Sequence, residues 1–374
     1  MRELGEFALI ERINAGRVQT RAVLLGPGDD AALVAAPDGR FVVTTDMLVQ
    51  GRHFRLDWSS PHDIGRKAIA QNAADVVAMG AVPTAFVVAL GCPADTPVEV
   101  IDGLTDGMWA EAARAGGSIA GGDLVLSPEI VLSVTAFGDL RGRAPLTRAG
   151  ARVGDTVAVA GRLGWSAAGL AVLTTAVDPN IETFVDVVAA HRVPQPPYAT
   201  VLDALSDSAG GRDAGESGPD APPEDGVLGS NHEPPQSRGA AVFGSGVIGS
   251  AGHRTRTAPN ALTDVSDGLL ADLGHIAEAS RVAIDLHSAA LRDAALEEIA
   301  RQLDADAAQW ILTGGEDHAF VATWPQERFL PAGWVPIGRV LAGHGVTVDG
   351  APRPGAGGWE SFSGADSASD AATG

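Results

Sequence analysis

The chain has 374 residues, of which 47 are acidic and 26 are basic, so its formal net charge at pH 7 is −21. This acidity argues against a nucleic-acid backbone as a partner, because binding one takes basic side chains that displace its counterions. The length fits two domains of ~150 residues each. An apolar content of 45% is typical of globular proteins rather than wholly disordered ones.

Three features of the sequence indicate a cytoplasmic protein. The single cysteine, Cys92, has no partner within the chain for a disulfide, which fits a reducing compartment. Glu3 and Glu6 stand where a secretory signal would carry basic residues and then an apolar run. No stretch approaches the ~18 uninterrupted apolar residues of a membrane-spanning helix, so we expect no membrane contact.

Predicted strands and helices alternate along the first part of the chain. Runs of β-branched apolar residues predict strands, and apolar residues at helical spacing predict helices. In chain order the predicted elements are a strand at 41–49, a helix at 59–81, a strand at 84–91, a helix at 97–116, strands at 129–138 and 155–161, and a helix at 166–177. This alternation predicts an α/β or α+β fold, with a first domain at 1–150.

The composition changes at about residue 206. From there to about residue 260, Gly, Pro, Ser, Asp and Glu dominate without a periodic apolar face, which predicts a disordered insertion rather than a functional lid. The predicted elements beyond it are a strand and helix in 261–280, a strand at 282–286, a helix at 291–303 and a strand at 318–324. We therefore place a second α/β domain at 151–362, around the insertion, and a disordered tail at 363–374.

Acidic residues recur in short clusters, each at a predicted turn or strand end apart from Asp75, which interrupts an apolar helical stretch. The clusters are Asp29-Asp30, Thr44-Thr45-Asp46, Asp75, Gly121-Gly122-Asp123, Asp264-Val265-Ser266-Asp267 and Gly314-Gly315-Glu316-Asp317. Carboxylates that converge repel one another and need cations, and oxygen donors without His/Cys spacing suit Mg²⁺ and phosphoryl chemistry. Taken singly, each cluster other than Asp75 is more often turn chemistry or a helix cap. A solitary carboxylate inside an apolar helical stretch is costly unless it is paired, so a functional role is favoured for Asp75. Sequence alone does not show that the clusters converge.

Neither of the two common phosphate-handling signatures is present in the sequence. We find no Walker-type glycine loop and no protein-kinase catalytic motif. Basic candidates for a phosphate are Arg66, Lys67, Arg143 and Arg148, although each taken singly is more often a solvated surface charge. His53 follows the Thr44–Asp46 cluster closely enough to reach a substrate bound there, although a lone histidine is more often structural.

Taken together and in order, these motifs resemble the thiamine-monophosphate kinase family, which is part of the aminoimidazole-ribonucleotide-synthetase-like ATP-using superfamily. The resemblance covers nearly all of the chain except the insertion and the tail. The stretches that carry it are GEFALIERI (5–13), GPGDDAA (26–32), VVTTDMLVQGRHF (42–54), DIGRKAIAQNAADVVAMGAVP (63–83), AGGD (120–123), DVSDGLLADLGHIAEAS (264–280) and TGGEDHAF (313–320).

The resemblance implies ATP-dependent phosphorylation of thiamine monophosphate to thiamine diphosphate with several Mg²⁺ ions. It implies an α/β (α+β) fold of two domains, in which an N-terminal mixed-sheet domain forms a homodimer and precedes a C-terminal α/β domain. The residues that match metal ligands are Asp30, Thr44, Thr45, Asp46, Asp75, Asp123, Asp264 and Asp267. We expect Asp46, Asp75, Asp123 and Asp264 to be the catalytic ones among them.

The same resemblance assigns the two substrates. Gly122, Asp123, Arg148 and Ser266 match positions that hold ATP. His53, Glu316 and Trp359 match positions on the side of thiamine monophosphate.

The sequence departs from the family's motifs at a few positions and leaves two alternatives open. The departures are Pro27 in the glycine loop, Ala73-Ala74 before Asp75, Leu124 after Asp123 and His318 after Asp317. None of them removes a proposed metal ligand. One alternative is another enzyme of the superfamily, which activates a carbonyl or amide oxygen with ATP. The other is a non-catalytic nucleotide-binding relative.

Overall fold

The computed structural model of the chain describes residues 12–26, 32–206, 258–326 and 329–353. Asp30, Trp359, nearly all of the predicted insertion and the predicted tail lie outside the described residues. Within the described residues, no helix is both long and apolar enough to cross a membrane.

The N-terminal part contains a four-stranded sheet. A short antiparallel pair, β1 (Val23–Leu25) and β2 (Leu33–Val34), precedes it. Across the four-stranded sheet the order is β3 (Val42–Val49), β6 (Val131–Asp139), β4 (Val82–Cys92) and β5 (Ser118–Leu126). Strand β6 is antiparallel to β3 and β4, whereas β4 and β5 are parallel, so the sheet is mixed as expected.

Two long helices pack together on this sheet, α1 (Pro61–Ala78) and α2 (Val98–Ala115). Helix α1 begins where expected, because the Ser60 hydroxyl accepts a hydrogen bond from the Asp63 N–H and Pro61 takes the first helical position. Gly65 and Gly107 let the two backbones touch. A Cβ at Gly65 would lie 2.0 Å from the carbonyl oxygen of Leu104.

The C-terminal part contains a six-stranded sheet with helices. Its strand order is β12 (Gly345–Val348), β9 (Ala283–Leu286), β11 (Val335–Leu341), β7 (Thr156–Ala160), β10 (Ala319–Trp324) and β8 (Ala261–Val265). The helices are α3 (Trp165–Thr174), α4 (Glu182–Arg192), α5 (Tyr198–Ser206), α6 (Leu269–Ser280), α7 (Ala294–Leu303) and α8 (Ala307–Thr313). Strands and helices in both parts confirm the predicted α/β (α+β) class.

Helix α1 lies between the two sheets. One continuous core contains Leu48 and Leu132 from the four-stranded sheet, Ile69 from α1, and Leu262 and Phe320 from the six-stranded sheet. The opposite face of the six-stranded sheet is covered by a second core that includes α4 and α6. Side chains from three layers can therefore meet around α1, and this placement produces the site described next.

Candidate active site

Asp46, Asp75 and Asp264 approach one another from three layers of the fold. Side chains alternate between the faces of a strand, so Asp46 shares the face of β3 that carries Leu48, and Asp264 shares the face of β8 that carries Leu262. Both leucines belong to the core around α1, and Asp75 lies in the last turn of α1. The three carboxylates therefore lie close enough for their charges to act on one another.

Asp75 is at the centre of this convergence. Its carboxylate Oδ2 accepts a hydrogen bond from the Thr44 hydroxyl at 2.9 Å. Burial, together with repulsion from Asp264 and Asp46, raises the pKa of Asp75 to about 7. A carboxyl group that resists ionisation at neutral pH is the expected result of burial beside other acidic groups.

The neighbouring carboxylates show the same repulsion. Burial raises the pKa of Asp46, and the charges of Asp264 and Asp267 add to the increase although a hydrogen bond from Gln71 opposes it. Burial and the charge of Asp264 likewise raise the pKa of Asp267. Asp267 therefore belongs to the same acidic group, which we call the carboxylate group: Asp46, Asp75, Asp264 and Asp267.

His318 lies beside the carboxylate group as a buried basic side chain. Its Nδ1 is 3.1 Å from Oδ2 of Asp264. Burial acts to lower the pKa of His318, but the hydrogen bond and charge of Asp264, with the charges of Asp75 and Glu316, outweigh it, so the pKa is raised. In the sequence, His318 is marked only as a departure from a motif, and this contact was not predicted. Its position directly after the Gly-Gly-Glu-Asp motif is the signal that could have found it.

Two loops that carry site residues are joined through their backbones. The Glu316 N–H donates to the Ser266 carbonyl at 2.7 Å, and the His318 N–H donates to the Val265 carbonyl at 2.9 Å. A Cβ at Gly315 would lie 2.7 Å from that Ser266 oxygen. Only glycine permits this approach, so the loop with Asp264 and the loop with Glu316 form one unit.

The other end of the site contains Lys67, Glu316 and His53. The Lys67 ammonium lies 2.9 Å from Oε1 of Glu316 and donates to the main-chain oxygen of His53 at 3.0 Å. Nδ1 of His53 accepts a hydrogen bond from the Val49 N–H at 3.0 Å, which leaves the proton of the neutral ring on Nε2. Burial lowers the pKa of His53, so the neutral form is favoured. The structure therefore brings together the two described residues predicted for the substrate side.

Several predicted site residues lie elsewhere. The Thr45 hydroxyl donates to the Val134 carbonyl at 2.9 Å and is on the opposite face of β3 from Thr44, so only the Thr44 hydroxyl reaches the carboxylate group. Asp123 is exposed on edge strand β5. It is separated from Asp46 by three strand spacings of ~4.8 Å, which is about 14 Å.

Two clusters also differ in local structure from the prediction. Asp46 and Asp123 lie inside strands, not at turns or strand ends, because β3 and β5 continue to pair with β6 and β4 past these residues. Asp317 has the structural role of a helix cap, because its Oδ1 accepts a hydrogen bond from the Ser166 N–H at 2.9 Å at the start of α3.

The residues expected to hold ATP are placed on two elements. Arg148 follows β6 and its Nε donates to the Thr263 hydroxyl at 3.3 Å, close enough to Asp267 to oppose the rise in the pKa of that group. Ser266 is in the loop after β8, next to Asp267. Gly122 is on β5, where a Cβ would lie 2.1 Å from the Val88 carbonyl oxygen, so close strand packing already accounts for this glycine.

Two of the other basic candidates have structural partners. Arg66 pairs with the fully buried Glu111 at 2.9 Å, and Arg143 donates to the Gly80 carbonyl at 2.9 Å. Of the four arginine and lysine candidates, Lys67 and Arg148 are the ones that the structure places beside other predicted site residues.

The donor set fits a hard divalent cation that arrives together with phosphate. Among the residues that the structure describes, no group of three or more His, Cys, Asp or Glu side chains is placed so that it could hold a metal ion. Mg²⁺ commonly takes only one or two protein carboxylates and completes its shell with water and substrate phosphates. Crowded carboxylates with raised pKa values and an adjacent Thr44 hydroxyl are suitable oxygen donors for such an ion.

Comparison with known proteins identifies the family. The family model described as "AIR synthase related protein, N-terminal domain" matches residues 28–140. The thiamine-monophosphate kinase of Mycobacterium tuberculosis (strain ATCC 25618 / H37Rv) is 50% identical over 366 residues, which are 97% of this chain and 93% of that protein.

Solved structures agree with this comparison. Thiamine-monophosphate kinase from Stenotrophomonas maltophilia K279a is 31% identical with a TM-score of 0.69, and the match covers 94% of this chain and 98% of that one. AaThiL complexed with AMPPCP and TMP is 28% identical with a TM-score of 0.67, over 97% of this chain and 98% of that one. Given this identity over nearly the whole length, the chain belongs to the thiamine-monophosphate kinase family.

Proposed function

We propose that this protein transfers the γ-phosphoryl group of ATP to thiamine monophosphate, yielding thiamine diphosphate and ADP. The observation that carries the proposal is the convergence of Asp46, Asp75 and Asp264 in one site, beside the Lys67–Glu316 pair. Membership of the family supports it, as does the likeness to a structure that contains AMPPCP, an ATP analogue, and TMP.

The transfer is direct and in line. An oxygen of the acceptor phosphate attacks the γ-phosphorus, and the bond from that phosphorus to the β,γ-bridging oxygen breaks, so ADP leaves with the bond electrons. The second pKa of a phosphate monoester is about 6, so the acceptor is mostly a dianion at neutral pH. An acceptor of this kind needs no general base, and the protein's tasks are to position it and to compensate charge.

Charge compensation is the larger task. Two unit charges of the same sign, ~4 Å apart at an effective dielectric constant of ~20, repel by about 4 kcal/mol, and both substrates carry several such charges. When bound, Mg²⁺ would supply positive charge that compensates this repulsion. The carboxylate group and Thr44 would hold the ions, with Asp30, Thr45 and Asp123 as further ligands expected from the resemblance.

The substrates are assigned to different ends of the site. Arg148 and Ser266, near Asp267, are proposed for the ATP phosphates, with Gly122 and Asp123 as further nucleotide contacts. His53 offers Nε2–H as a donor and Glu316 offers a carboxylate, so these two, together with Trp359, are proposed for thiamine monophosphate. The predicted domains, 1–150 and 151–362, then contribute to one site, with Asp75 from the first and Asp264 from the second.

We also propose a cytoplasmic homodimer formed through the four-stranded sheet. The face of β3 turned away from α1 exposes apolar side chains, with Val43 54% and Met47 53% exposed. An apolar patch of this kind on a sheet face is typical of a protein–protein interface. Sedimentation equilibrium measures the mass directly, and a monomer at all protein concentrations would contradict the dimer.

A product assay tests the reaction. Purified protein is incubated with ATP, Mg²⁺ and thiamine monophosphate, and the products are separated by chromatography. We expect thiamine diphosphate and ADP in equal amounts. Inorganic phosphate released without thiamine diphosphate would instead support an enzyme that activates a carbonyl or amide oxygen. If no ATP is consumed, the protein is a nucleotide-binding relative without this activity.

A further inference from the structure

We infer that Lys67 is a positioning residue, which holds the Glu316 carboxylate and the main chain at His53 in fixed relation at the acceptor end of the site. The inference rests on the proposed function, because it assigns Lys67 a part in binding thiamine monophosphate. Lys67 would act through Glu316 and His53 rather than by contact with the reacting atoms.

The amino-acid composition draws attention to this residue. Lys67 is the only lysine in the chain, and every other basic residue among the 26 is arginine. Surface positions tolerate either residue, so a sequence that uses arginine everywhere else has a specific requirement at position 67. An ammonium is a compact charge whose three donors can point in different directions, whereas a guanidinium is planar and donates in a fixed fork.

The contacts explain that requirement. The Lys67 side chain is only 3% exposed, and its Nζ reaches Oε1 of Glu316 at 2.9 Å and the His53 carbonyl at 3.0 Å. Glu316 comes from the loop before β10, and His53 comes from the turn between β3 and α1. One ammonium therefore joins two segments that are distant in sequence, and it does so from a third, helix α1.

Lys67 is the main positive charge facing Glu316. Nδ1 of His191 also lies 3.7 Å from Oε2 of Glu316, but burial and the charge of Lys67 lower the pKa of His191 to about 4, so it is neutral at pH 7. The same ring interacts with the Ser166 hydroxyl at 3.1 Å. Burial acts to raise the pKa of Glu316, but the charge and hydrogen bond of Lys67, with smaller contributions from His191 and His318, together outweigh burial and the pKa is lowered. Glu316 is therefore held as an anion.

A role in stability alone does not explain the pair. Replacing a buried ion pair by apolar groups of similar volume is often neutral for stability or even favourable. Lys67 also shares one face of α1 with Gln71 and Asp75, at intervals of four residues, which brings successive side chains to the same side of a helix. The acceptor end is thus fixed on the same rigid element as the carboxylate group.

Kinetics of two variants test the inference. Lys67→Met keeps a similar length without the charge, and Lys67→Arg keeps the charge with a different shape. For Lys67→Met we expect KM for thiamine monophosphate to rise by about 10-fold or more, while KM for ATP changes less than about 2-fold. Lys67→Arg should recover part of that loss. Equal effects on both KM values, or no effect on either, would overturn the inference.

A matched control separates this effect from general loss of charge. Arg292 forms an exposed ion pair with Glu297 at 2.7 Å and is not among the residues assigned to the site. Arg292→Met should leave both KM values unchanged. Thermal unfolding of every variant verifies that the kinetic comparison is made between folded proteins.

Because the chain has one lysine, nuclear magnetic resonance can observe the contact itself. Protein labelled with ¹⁵N at lysine Nζ should give one ammonium signal, and Lys67→Met, which lacks it, assigns that signal. We expect it to shift in Glu316→Gln and on addition of thiamine monophosphate. If the chemical shift of this signal is unchanged in Glu316→Gln, the positioning role is wrong. If the unchanged protein makes no thiamine diphosphate, the proposed function fails separately, whatever the signal does.

Discussion

The hydroxyl of Thr44 on β3 donates a hydrogen bond to the carboxylate of Asp75 on α1, with 2.9 Å between Oγ1 and Oδ2. This bond joins the four-stranded sheet to the helix at the place where Asp264 arrives from the other sheet. It occupies one oxygen of Asp75 and leaves the other free of that contact. Because Asp75 lies where the sheet, the helix and Asp264 meet, substitution of Asp75 is the most direct test of the site.

Replacing Asp75 by Asn should remove activity and increase stability. We expect turnover to fall by about 10²–10³-fold or more, because a charged ligand at the centre of the carboxylate group is lost. The folded-state pKa of about 7 lies above the ordinary value of 3.8. The charge therefore destabilises the fold increasingly as pH rises from 3.8 to about 7, and the full cost is present above that. The metal-free variant should unfold at a higher temperature than the unchanged protein at pH 8.

At pH 5 this gain in stability should shrink, because Asp75 is then protonated in the folded protein. Thermal unfolding at both pH values, together with the product assay, makes the measurement. Asp203→Asn, at an exposed position in α5, is the control and should leave both properties unchanged. An active Asp75→Asn variant would contradict the role of this residue.

Adding Mg²⁺ should stabilise the unchanged protein more at pH 8 than at pH 6. Cations bind ionised carboxylates, and because the pKa of Asp75 is raised to about 7, this carboxylate is less ionised at pH 6 than at pH 8. Differential scanning fluorimetry with Mg²⁺ and with a chelator gives the two unfolding temperatures at each pH. Asp264→Asn should lose most of the stabilisation, and an equal Mg²⁺ effect in that variant would show that the ion binds elsewhere.

His191 should make the protein sensitive to acid. Its pKa is about 4 in the fold against 6.5 ordinarily, so between these pH values the unfolded chain binds more protons. Stability should therefore fall as pH drops from 6.5 toward 4, with a contribution of at most ~1.4 kcal/mol per pH unit. His191→Asn keeps an acceptor near the Ser166 hydroxyl and cannot be protonated in this range.

Urea unfolding of both proteins at pH 7 and pH 5 measures the difference. The carboxyl groups whose pKa values are raised act in the opposite direction, but they are common to both proteins and cancel in the comparison. The variant should lose less stability on acidification than the unchanged protein. Equal losses would mean that His191 does not contribute.

Gly315→Ala should disturb both ends of the site. The new Cβ would lie 2.7 Å from the Ser266 carbonyl oxygen and push apart the two joined loops. We expect a loss of about 1–3 kcal/mol in the free energy of unfolding and weaker Mg²⁺ stabilisation. Gly274→Ala is the matched control, because nothing lies within 4 Å of a Cβ there and alanine favours the helix. The idea fails if both substitutions behave alike.

Many of the candidate site residues were predictable because they belong to short sequence motifs. The family resemblance, confirmed by the comparisons, selected Asp46, Asp75 and Asp264, and hard-cation chemistry explained why oxygen donors should gather. What a single sequence could not show is their convergence, since Asp75 and Asp264 are brought together by two sheets packed around α1. The metal ligands themselves stay a prediction.

Other features escaped prediction for physical reasons. A Gly-Gly-Asp sequence indicates a turn, but pairing with β4 extends β5 through Asp123. The predicted helix at 291–303 begins only at Ala294, because the Asp293 side chain caps it by accepting from the Ala295 N–H at 2.9 Å. Lys67 was considered as a phosphate contact, and its partner Glu316 could not be found from sequence spacing. The presence of a single lysine in the chain is a feature of the sequence that could have singled out Lys67.

Helix α1 fixes the distance between the two ends of the site, because Lys67 and Asp75 both lie on it. A helix rises ~1.5 Å per residue, so Lys67 and Asp75 are about 12 Å apart along its axis. A ligand anchored at the lysine end must extend along that distance before its terminal group reaches the acidic end. The rigid helix thereby fixes the distance between the two ends of the site.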